Sequence, residues 1–369
     1  MKICHVINDL SRGGAETHLY SLVKLQVEKG YNVTLLLLGK DQLNFVSLES
    51  QFNDLNLNLL RFKGPKKLQG INPFSIYKGI SFFKKNKFDV IHTHTPRSDL
   101  LVYISNLFLS NKSRRIVTIH GKYGTYLQGN YFIDLLRKIF LKQQLKIWKT
   151  ASNVIVISES IKDWLKILNP SINPLVIPYG IEVPPMTIDN KFKKYTLGYL
   201  GKLNKNKGIE DLIDVYANLL RKENFNKLEP KLLIGGVGSE DYIKSLNKRI
   251  NHKNIKFLGY VEDRYRFFNS IEIFIFPSYS EGLGLVLLEA MSHGVLCITR
   301  DVTPMNSIIQ NGENGFLFKD NNELIEIIEK AFKLNSLEKD NIVKSALEKI
   351  EKSYSIMQMY LSIEKAYNK

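Results

Sequence analysis

The strongest constraint on the fold is a strand–helix alternation that runs twice along the 369 residues. In the first half, short apolar runs stand at Lys2–Ile7, Val33–Leu38, Leu57–Phe62, Val90–Thr93, Ile116–His120 and Val154–Ile157. Helical stretches separate most of them, the first running from the Gly13-Gly14 turn to about Glu28. The alternation breaks at Tyr179-Gly-Ile-Glu-Val-Pro184-Pro185-Met, and the polar run to Lys194 reads as a linker. It then restarts with runs at Thr196–Leu200, Leu232–Gly235, Ile255–Leu258, Ile273–Phe276, Val295–Thr299 and Gly315–Phe318. Helices from about Asn322 to Lys333 and from Leu337 to the end close the chain. Short apolar strands alternating with helices predict parallel sheets covered on both faces. The expected class is α/β, with two doubly wound, Rossmann-like domains facing a central cleft and ligands at the carboxyl ends of the strands. The expected boundaries are residues 1–183, 184–353 and a C-terminal helix over 354–369.

Composition narrows the setting. Two cysteines, Cys4 and Cys297, each lie inside an apolar run, which excludes a disulfide framework and predicts buried thiols in a reducing compartment. The N-terminus is too short and interrupted for a signal peptide, and no stretch approaches about 20 apolar residues. A cytoplasmic protein is expected, or one peripheral at the inner face of the plasma membrane. Residues 1–180 hold 25 Lys+Arg against 11 Asp+Glu, a net +14; residues 181–369 hold 27 against 25, a net +2. A basic first half attracts anionic lipid, nucleic acid or phosphorylated substrates. No recognition helix or stacking platform supports nucleic acid. Between Tyr131 and Trp148, apolar residues at 132, 135, 136, 139 and 140 form a helical stripe beside Lys138, Lys142, Lys146 and Lys149. Tyr123, Tyr126, Tyr131, Phe132 and Trp148 add aromatics. That surface suits either an anionic bilayer or plain solvation.

The chemistry concentrates in Phe276-Pro-Ser-Tyr-Ser-Glu281-Gly282-Leu283-Gly284-Leu-Val-Leu-Leu-Glu289. A strand leads in and a helix begins near Gly284, so Glu281 lies in the loop and Glu289 about 7 Å along the helix. Glycines allow a ligand close to the backbone, and the helix N-terminus offers unpaired N–H groups to an anion. A sugar joined through phosphate to a nucleoside fits this arrangement. After the first strand of the second half, Gly201-Lys202-Leu203-Asn-Lys205-Asn-Lys207-Gly208 puts cations at a helix start, where the dipole favours an anion; a bound diphosphate would resolve the conflict. Gly235-Gly236-Val-Gly238 closes the next strand with a turn open to a base or ribose. In the first half, Gly13-Gly14-Ala15-Glu16 follows the first strand, and His92, His94 and His120 stand at strand ends. Metal ligation by these histidines is a weaker reading, since no carboxylate cluster or third ligand at helical spacing accompanies them.

The Glu281–Glu289 segment resembles the Glu-x7-Glu motif of the retaining family 4 glycosyltransferases, which have the GT-B fold. Gly-Gly-Ala-Glu, His-x-His, His120-Gly121 and Lys207-Gly208 resemble further family motifs in the same order. Lys202 stands where arginine is usual, keeping the charge but losing the bidentate fork. Tyr179 replaces the usual asparagine, and Ser307 stands at a glutamate position to which no role is carried over. The resemblance implies an acceptor-binding first domain, a nucleotide-sugar-binding second domain and a final helix crossing back onto the first. It implies reaction roles for His120, Glu281, Lys202 and Lys207. Donor contacts fall to Gly13, Gly14, Gly236, Gly238, Glu281, Gly282, Leu283, Gly284 and Glu289, with Glu281 on sugar hydroxyls and Glu289 on the ribose. Glu16, His92 and His94 fall on the acceptor side. No Asp-x-Asp is present, and no metal or other cofactor is expected; the co-substrate is a nucleotide-diphosphate-sugar, a UDP-sugar being favoured. The implied reaction is sugar transfer with retention to a saccharide in cell-surface polysaccharide or lipopolysaccharide synthesis, and the basic first half points to a lipid-linked acceptor. A nucleotide-sugar hydrolase or epimerase of the same shape, and an inactive nucleotide-sugar-binding subunit, are the alternatives.

Overall fold

The computed structural model describes residues 1–11, 13–39, 46–62, 73–110, 112–123, 131–184, 194–249 and 252–369. The part of the expected linker over residues 185–193 lies outside them. The chain divides into two units, one of Met1–Gly180 with Ile356–Lys369, the other of Ile181–Ser355.

The first unit runs β1 (Lys2–Ile7), α1 (Gly14–Glu28), β2 (Asn32–Leu37), α2 (Glu49–Asn53), β3 (Asn58–Arg61), α3 (Pro73–Lys85), β4 (Val90–Thr93), α4 (Pro96–Leu107), β5 (Arg114–Ile119), α5 (Tyr131–Lys149), β6 (Asn153–Val156), α6 (Glu159–Leu168) and β7 (Leu175–Val176). The second runs β8 (Thr196–Leu200), α7 (Ile209–Leu220), α8 (Glu223–Asn226), β9 (Lys231–Gly235), α9 (Glu240–Arg249), β10 (Ile255–Gly259), α10 (Arg264–Phe268), β11 (Ile273–Phe276), α11 (Leu285–Ser292), β12 (Leu296–Arg300), α12 (Met305–Ile308), β13 (Phe316–Phe318), α13 (Asn321–Lys333) and α14 (Ser336–Ser353). The final helix, α15 (Ile356–Asn368), belongs to the first unit.

Among the described residues the first sheet has the order β3-β2-β1-β4-β5-β6-β7 and the second β10-β9-β8-β11-β12-β13. Every strand pairing is parallel. Strands such as Ile273–Phe276 and Leu296–Arg300 are buried throughout, because helices cover both sheet faces and leave no polar side. The expected two doubly wound sheets are therefore found. In each, the strand order reverses beside the first strand, between β1 and β4 and between β8 and β11. At such a switch point the flanking connections diverge and leave a crevice at the strand carboxyl ends.

The chain's last stretch differs from one continuous helix after Leu337. It breaks at Tyr354, whose carbonyl accepts the Ile181 N–H at 2.6 Å. A side chain at Gly180 would place Cβ 2.5 Å from the Ile356 Cα, so glycine admits this close pass. Beyond the break, α15 lays Met359, Tyr360, Ile363, Ala366 and Tyr367 against Ile3, Leu22, Val90, Ile116, Ile155 and Ile177. The large apolar side chains among these contribute about 1.5–3 kcal/mol each on burial. Asn153 Nδ2 donates to the Ala366 carbonyl at 2.7 Å, which fixes the register of α15 against β6. Both cysteines are buried free thiols, and burial pushes each thiol pKa up.

Candidate functional site

In the second unit the candidate residues gather at the carboxyl ends of β8, β9 and β11. Gly201 and Leu203 donate their N–H groups to the Gly235 and Val237 carbonyls at 3.1 and 2.8 Å, stitching the β8 loop to the β9 turn. This contact explains the glycines there. At Gly236, φ is +142° and a Cβ would fall 1.8 Å from the Gly201 carbonyl oxygen. At Gly238 it would fall 2.2 Å from the Leu203 carbonyl oxygen. What approaches these two glycines closely is thus the neighbouring loop of the same unit. Lys202 is exposed, and with Gly238 and Tyr242 it lines a shallow depression.

Past a short 3-10 turn at Lys205–Lys207, the chain enters α7 through Gly208 at φ +65°. A Cβ at Gly208 would lie 2.2 Å from the Pro277 carbonyl oxygen. Glycine therefore lets the lysine loop close on the segment after β11, where the Tyr279 N–H donates to the Asn206 carbonyl at 2.9 Å. The closure brings Lys207 Nζ to 2.6 Å from Glu281 Oε1, and Ser278 Oγ donates to the same oxygen at 2.8 Å. Arg300 holds the segment from beneath. It bonds the Pro277 carbonyl at 3.1 Å, pairs with Asp211 at 2.6 Å, and lies 4.1 Å from the centre of the Tyr279 ring.

Gly284, at φ +80°, is the N-cap of α11, and no side chain caps that end. Its first-turn N–H groups are the kind that an anion satisfies. Gly282 is exposed, whereas the Leu283 side chain is buried, which leaves its backbone to meet a ligand. Glu289 is the fifth residue of α11, and Arg264 Nη1 donates to both of its carboxylate oxygens. Arg264 escaped the sequence reading: it lies 25 residues before Glu289, in a helix of one and a half turns with no motif of its own.

In the first unit, Gly13 is the N-cap of α1 and Gly14 its first residue. Glu16, in the first turn, folds back over the cap, so that a Cβ at Gly13 would sit 2.7 Å from Glu16 Oε2. Burial, assisted by the nearby Asp9 charge, pushes the Glu16 carboxyl up to about 7. Arg12 lies outside the described residues.

The histidines form one buried cluster. His5 and His92 are register partners on β1 and β4. Because strand side chains alternate with period two, His5, His92, His94, Thr118 and His120 share a face. His5 Nδ1 lies 3.0 Å from His94 Nε2, and His94 Nδ1 lies 3.4 Å from His120 Nε2. His120 Nδ1 meets the Tyr179 hydroxyl at 2.6 Å. At the other end, His5 Nε2 meets Gln26 Oε1 at 2.8 Å, and Gln26 Nε2 donates to the Tyr367 hydroxyl at 3.3 Å. That hydroxyl is 2.7 Å from His92 Nδ1, while His92 Nε2 is 2.7 Å from Thr118 Oγ1. His18, on α1, stacks on Tyr179 with ring centres 4.5 Å apart. The structure thus places His92 and His94 fully inside the core and leaves His120 half-buried at the strand end. His5, Gln26, Tyr179 and Tyr367 were not anticipated; the signal available for His5 was a lone polar residue inside an apolar strand.

His5, His92 and His94 have ring nitrogens within 4.8 Å of one another, the spacing from which a metal site could form. All six nitrogens, however, already face protein partners. A cation would have to displace several of those contacts, so these residues fit a hydrogen-bonded core better than a metal centre.

Burial is the largest cause that holds the cluster neutral. It lowers His5 to about 4 and His120 to about 3, and moves His18, His92 and His94 well below the ordinary value of 6.5, with neighbouring histidine charges adding to the effect for these three. As pH falls below about 6.5, the unfolded chain binds protons that the fold refuses. Stability then drops by up to about 1.4 kcal/mol per pH unit for each such histidine. Glu16 at about 7 and Asp99 at about 6, both raised chiefly by burial, act in the opposite direction. Five groups outweigh two, so urea unfolding midpoints should fall steadily from pH 7 to pH 5. A flat profile would mean that the folded cluster accepts protons.

Comparison with known proteins agrees with this geometry. The family described as Glycosyltransferase Family 4 matches residues 12–183, and Glycosyl transferases group 1 matches residues 187–349. The capsular polysaccharide biosynthesis glycosyltransferase CapM of Staphylococcus aureus is 28% identical over 317 residues, covering 80% of each chain. CapH of the same organism is 24% identical over 343 residues, covering 90% of this chain and 88% of the relative. Among solved structures, Anabaena Alr3699/HepE in complex with UDP superposes with a TM-score of 0.80 at 17% identity over 100% of both chains. TarM superposes at 0.79 with 13% identity, over 100% of this chain and 99% of the other. The chain is a GT-B-fold glycosyltransferase related to the group 1 and family 4 members.

Proposed function

We propose that this protein is a retaining, metal-independent glycosyltransferase that takes its sugar from a nucleotide-diphosphate-sugar, a UDP-sugar being favoured. Its product belongs to cell-surface polysaccharide or lipopolysaccharide synthesis. The observation that carries the reading is the Lys207–Glu281 pair at 2.6 Å, set in the loop that leads into the uncapped N-terminus of α11. A cation, a carboxylate and a helix N-terminus there match the three demands of a sugar diphosphate. The relatives CapM and CapH, described as capsular polysaccharide glycosyltransferases, support the product class.

The reaction follows from charge. As the sugar–phosphate bond breaks, the sugar gains positive charge and the departing diphosphate gains negative charge. Lys207 and the N–H groups at the start of α11 stabilise the diphosphate, with Lys202 at its outer side. Glu281, released from Lys207 by the incoming phosphate, turns to the sugar hydroxyls, and Ser278 steadies it. Glu289 receives the ribose, its second oxygen still held by Arg264. The acceptor hydroxyl attacks from the face that the phosphate leaves, and the departing phosphate helps to take its proton. On the acceptor side stands Glu16, whose carboxyl titrates close to neutrality.

The acceptor is proposed to be lipid-linked and reached at an anionic membrane surface. On α5, Leu135, Leu136, Ile139 and Phe140 are 41, 50, 56 and 40% exposed, and Lys138, Lys142, Lys146 and Lys149 are exposed on the same helix. Apolar side chains ringed by lysine suit an acyl–headgroup boundary carrying negative charge. No helix among the described residues is long and apolar enough to cross a membrane.

The reading is tested first by calorimetric titration with UDP-, GDP- and ADP-sugars, with and without EDTA. Binding selective for UDP-sugars and unchanged by EDTA is expected; no binding by folded protein would sink it. Lys207→Ala should lower kcat/KM by more than about thirtyfold, the scale of about 2 kcal/mol of lost preorganised stabilisation. A loss below tenfold would remove Lys207 from the phosphate. In flotation assays the protein should rise with phosphatidylglycerol vesicles, be released by high salt, and bind less once Ile139 and Phe140 become serine. Binding indifferent to salt and lipid charge would defeat the membrane reading.

A further inference from the structure

With the Gln26 amide oxygen toward His5 and its nitrogen toward Tyr367, the hydrogen bonds around His120 run in one direction; with the amide turned over they would run in the other. With the Gln26 amide oxygen toward His5, only His5 Nε2–H can donate to it. His5 Nδ1 is then an acceptor and must receive Nε2–H of His94. By the same logic His94 Nδ1 receives Nε2–H of His120, and His120 Nδ1 receives the Tyr179 hydroxyl proton. On the far side the Gln26 amide donates to the Tyr367 hydroxyl, which donates to His92 Nδ1, while His92 Nε2–H donates to Thr118. In this direction every ring in the chain is neutral with its proton on Nε2. Each nitrogen is used once, and the chain is directional from Tyr179 to Thr118.

We propose that Tyr179 and His94 are positioning residues that clamp His120 as a neutral ring with its proton on Nε2, and that Gln26 sets the direction of the clamp. The role in the reaction rests on the proposed transferase function and on the reaction role beside the transferred sugar that the family resemblance implies for His120. A cationic imidazolium next to a sugar gaining positive charge would oppose bond breaking, by an amount that grows as water is excluded. A neutral ring with both nitrogens engaged avoids that repulsion and holds its orientation. The clamp also gives Tyr179 a purpose. It is buried with its hydroxyl on His120 and its ring against His18. The charged and titratable groups around the cluster are His18, Glu16, Asp99 and Tyr123, and burial disfavours the charged form of each.

The test is a two-bond 1H–15N spectrum of the full chain labelled at histidine, with His120 assigned by its loss in His120→Gln. The expected spectrum has a protonated Nε2 and an unprotonated Nδ1 for His120 throughout pH 5–8. In Tyr179→Phe, which removes one oxygen, the Nδ1 signal should move as its donor is lost. In Gln26→Leu the fixed tautomer should give way to a mixture; this variant keeps the test open if Tyr179→Phe does not fold. Transfer by Tyr179→Phe should show an acid limb raised by about one pH unit, with kcat reduced roughly fivefold below it and the donor KM moving less than twofold; fivefold is about one hydrogen bond. A wild-type His120 protonated on Nδ1 or on both nitrogens at pH 7 overturns the clamp, as does a spectrum indifferent to both variants. An expected spectrum with an unmoved pH profile overturns its role in transfer. Because the spectrum needs no substrate, failure of the transferase reading would appear separately, as absence of turnover in wild type.

Discussion

Parallel pairing is the constraint on which the rest depends. In a parallel sheet every strand leaves at the same edge, and both faces must be covered to protect a uniformly apolar strand. Chemistry is thereby pushed to the carboxyl-end loops, and both units obey. In the second, the candidate residues follow β8, β9 and β11; in the first, they follow β1, β4 and β5. The glycines at these ends serve loop-to-loop packing before any ligand arrives. Gly208, Gly236 and Gly238 each pass a carbonyl oxygen closely enough that no side chain could stand there. The loops brace one another, and that contact brings Lys207 against Glu281.

The first unit departs from its own rule. A parallel sheet face should be apolar, yet His5, His92 and His94 lie within it, fully buried. Unpaired, each ring would cost on the order of 1–3 kcal/mol in lost hydrogen bonding. The cost is offset because the rings satisfy one another and because α15 brings Tyr367 down onto the same face. The return of the last helix thus closes an apolar surface and completes a polar chain that the sheet alone would leave open.

Much of this was legible in the sequence. The double alternation gave the two sheets, and the segment from Phe276 to Glu289 gave a strand, a loop and a helix capped by Gly284, as found. What remained hidden was pairing across sequence distance. Arg264 reaches Glu289 across a strand, and Tyr367 reaches His92 across 275 residues; local pattern carries neither. The histidine face was half legible. Period two puts His92 with His94, and Thr118 with His120, but aligning β1 with β4 requires the register that only the folded sheet supplies.

The two glutamates show why a motif needs its surroundings. Both are paired with cations in the structure, Glu281 with Lys207 and Glu289 with Arg264. The pairings differ in what a ligand must do. Lys207 offers one rotatable ammonium on a flexible stem, and a diphosphate with two or more negative charges can outcompete a single carboxylate for it. Arg264 meets Glu289 through one nitrogen, Nη1, shared between both carboxylate oxygens, so under the proposed function a ribose hydroxyl can join that contact by donating to a carboxylate lone pair without displacing the guanidinium. One pair is therefore built to open and the other to stay. Under the proposed function, that asymmetry puts the moving charge at the diphosphate end of the ligand and the fixed one at its nucleoside end.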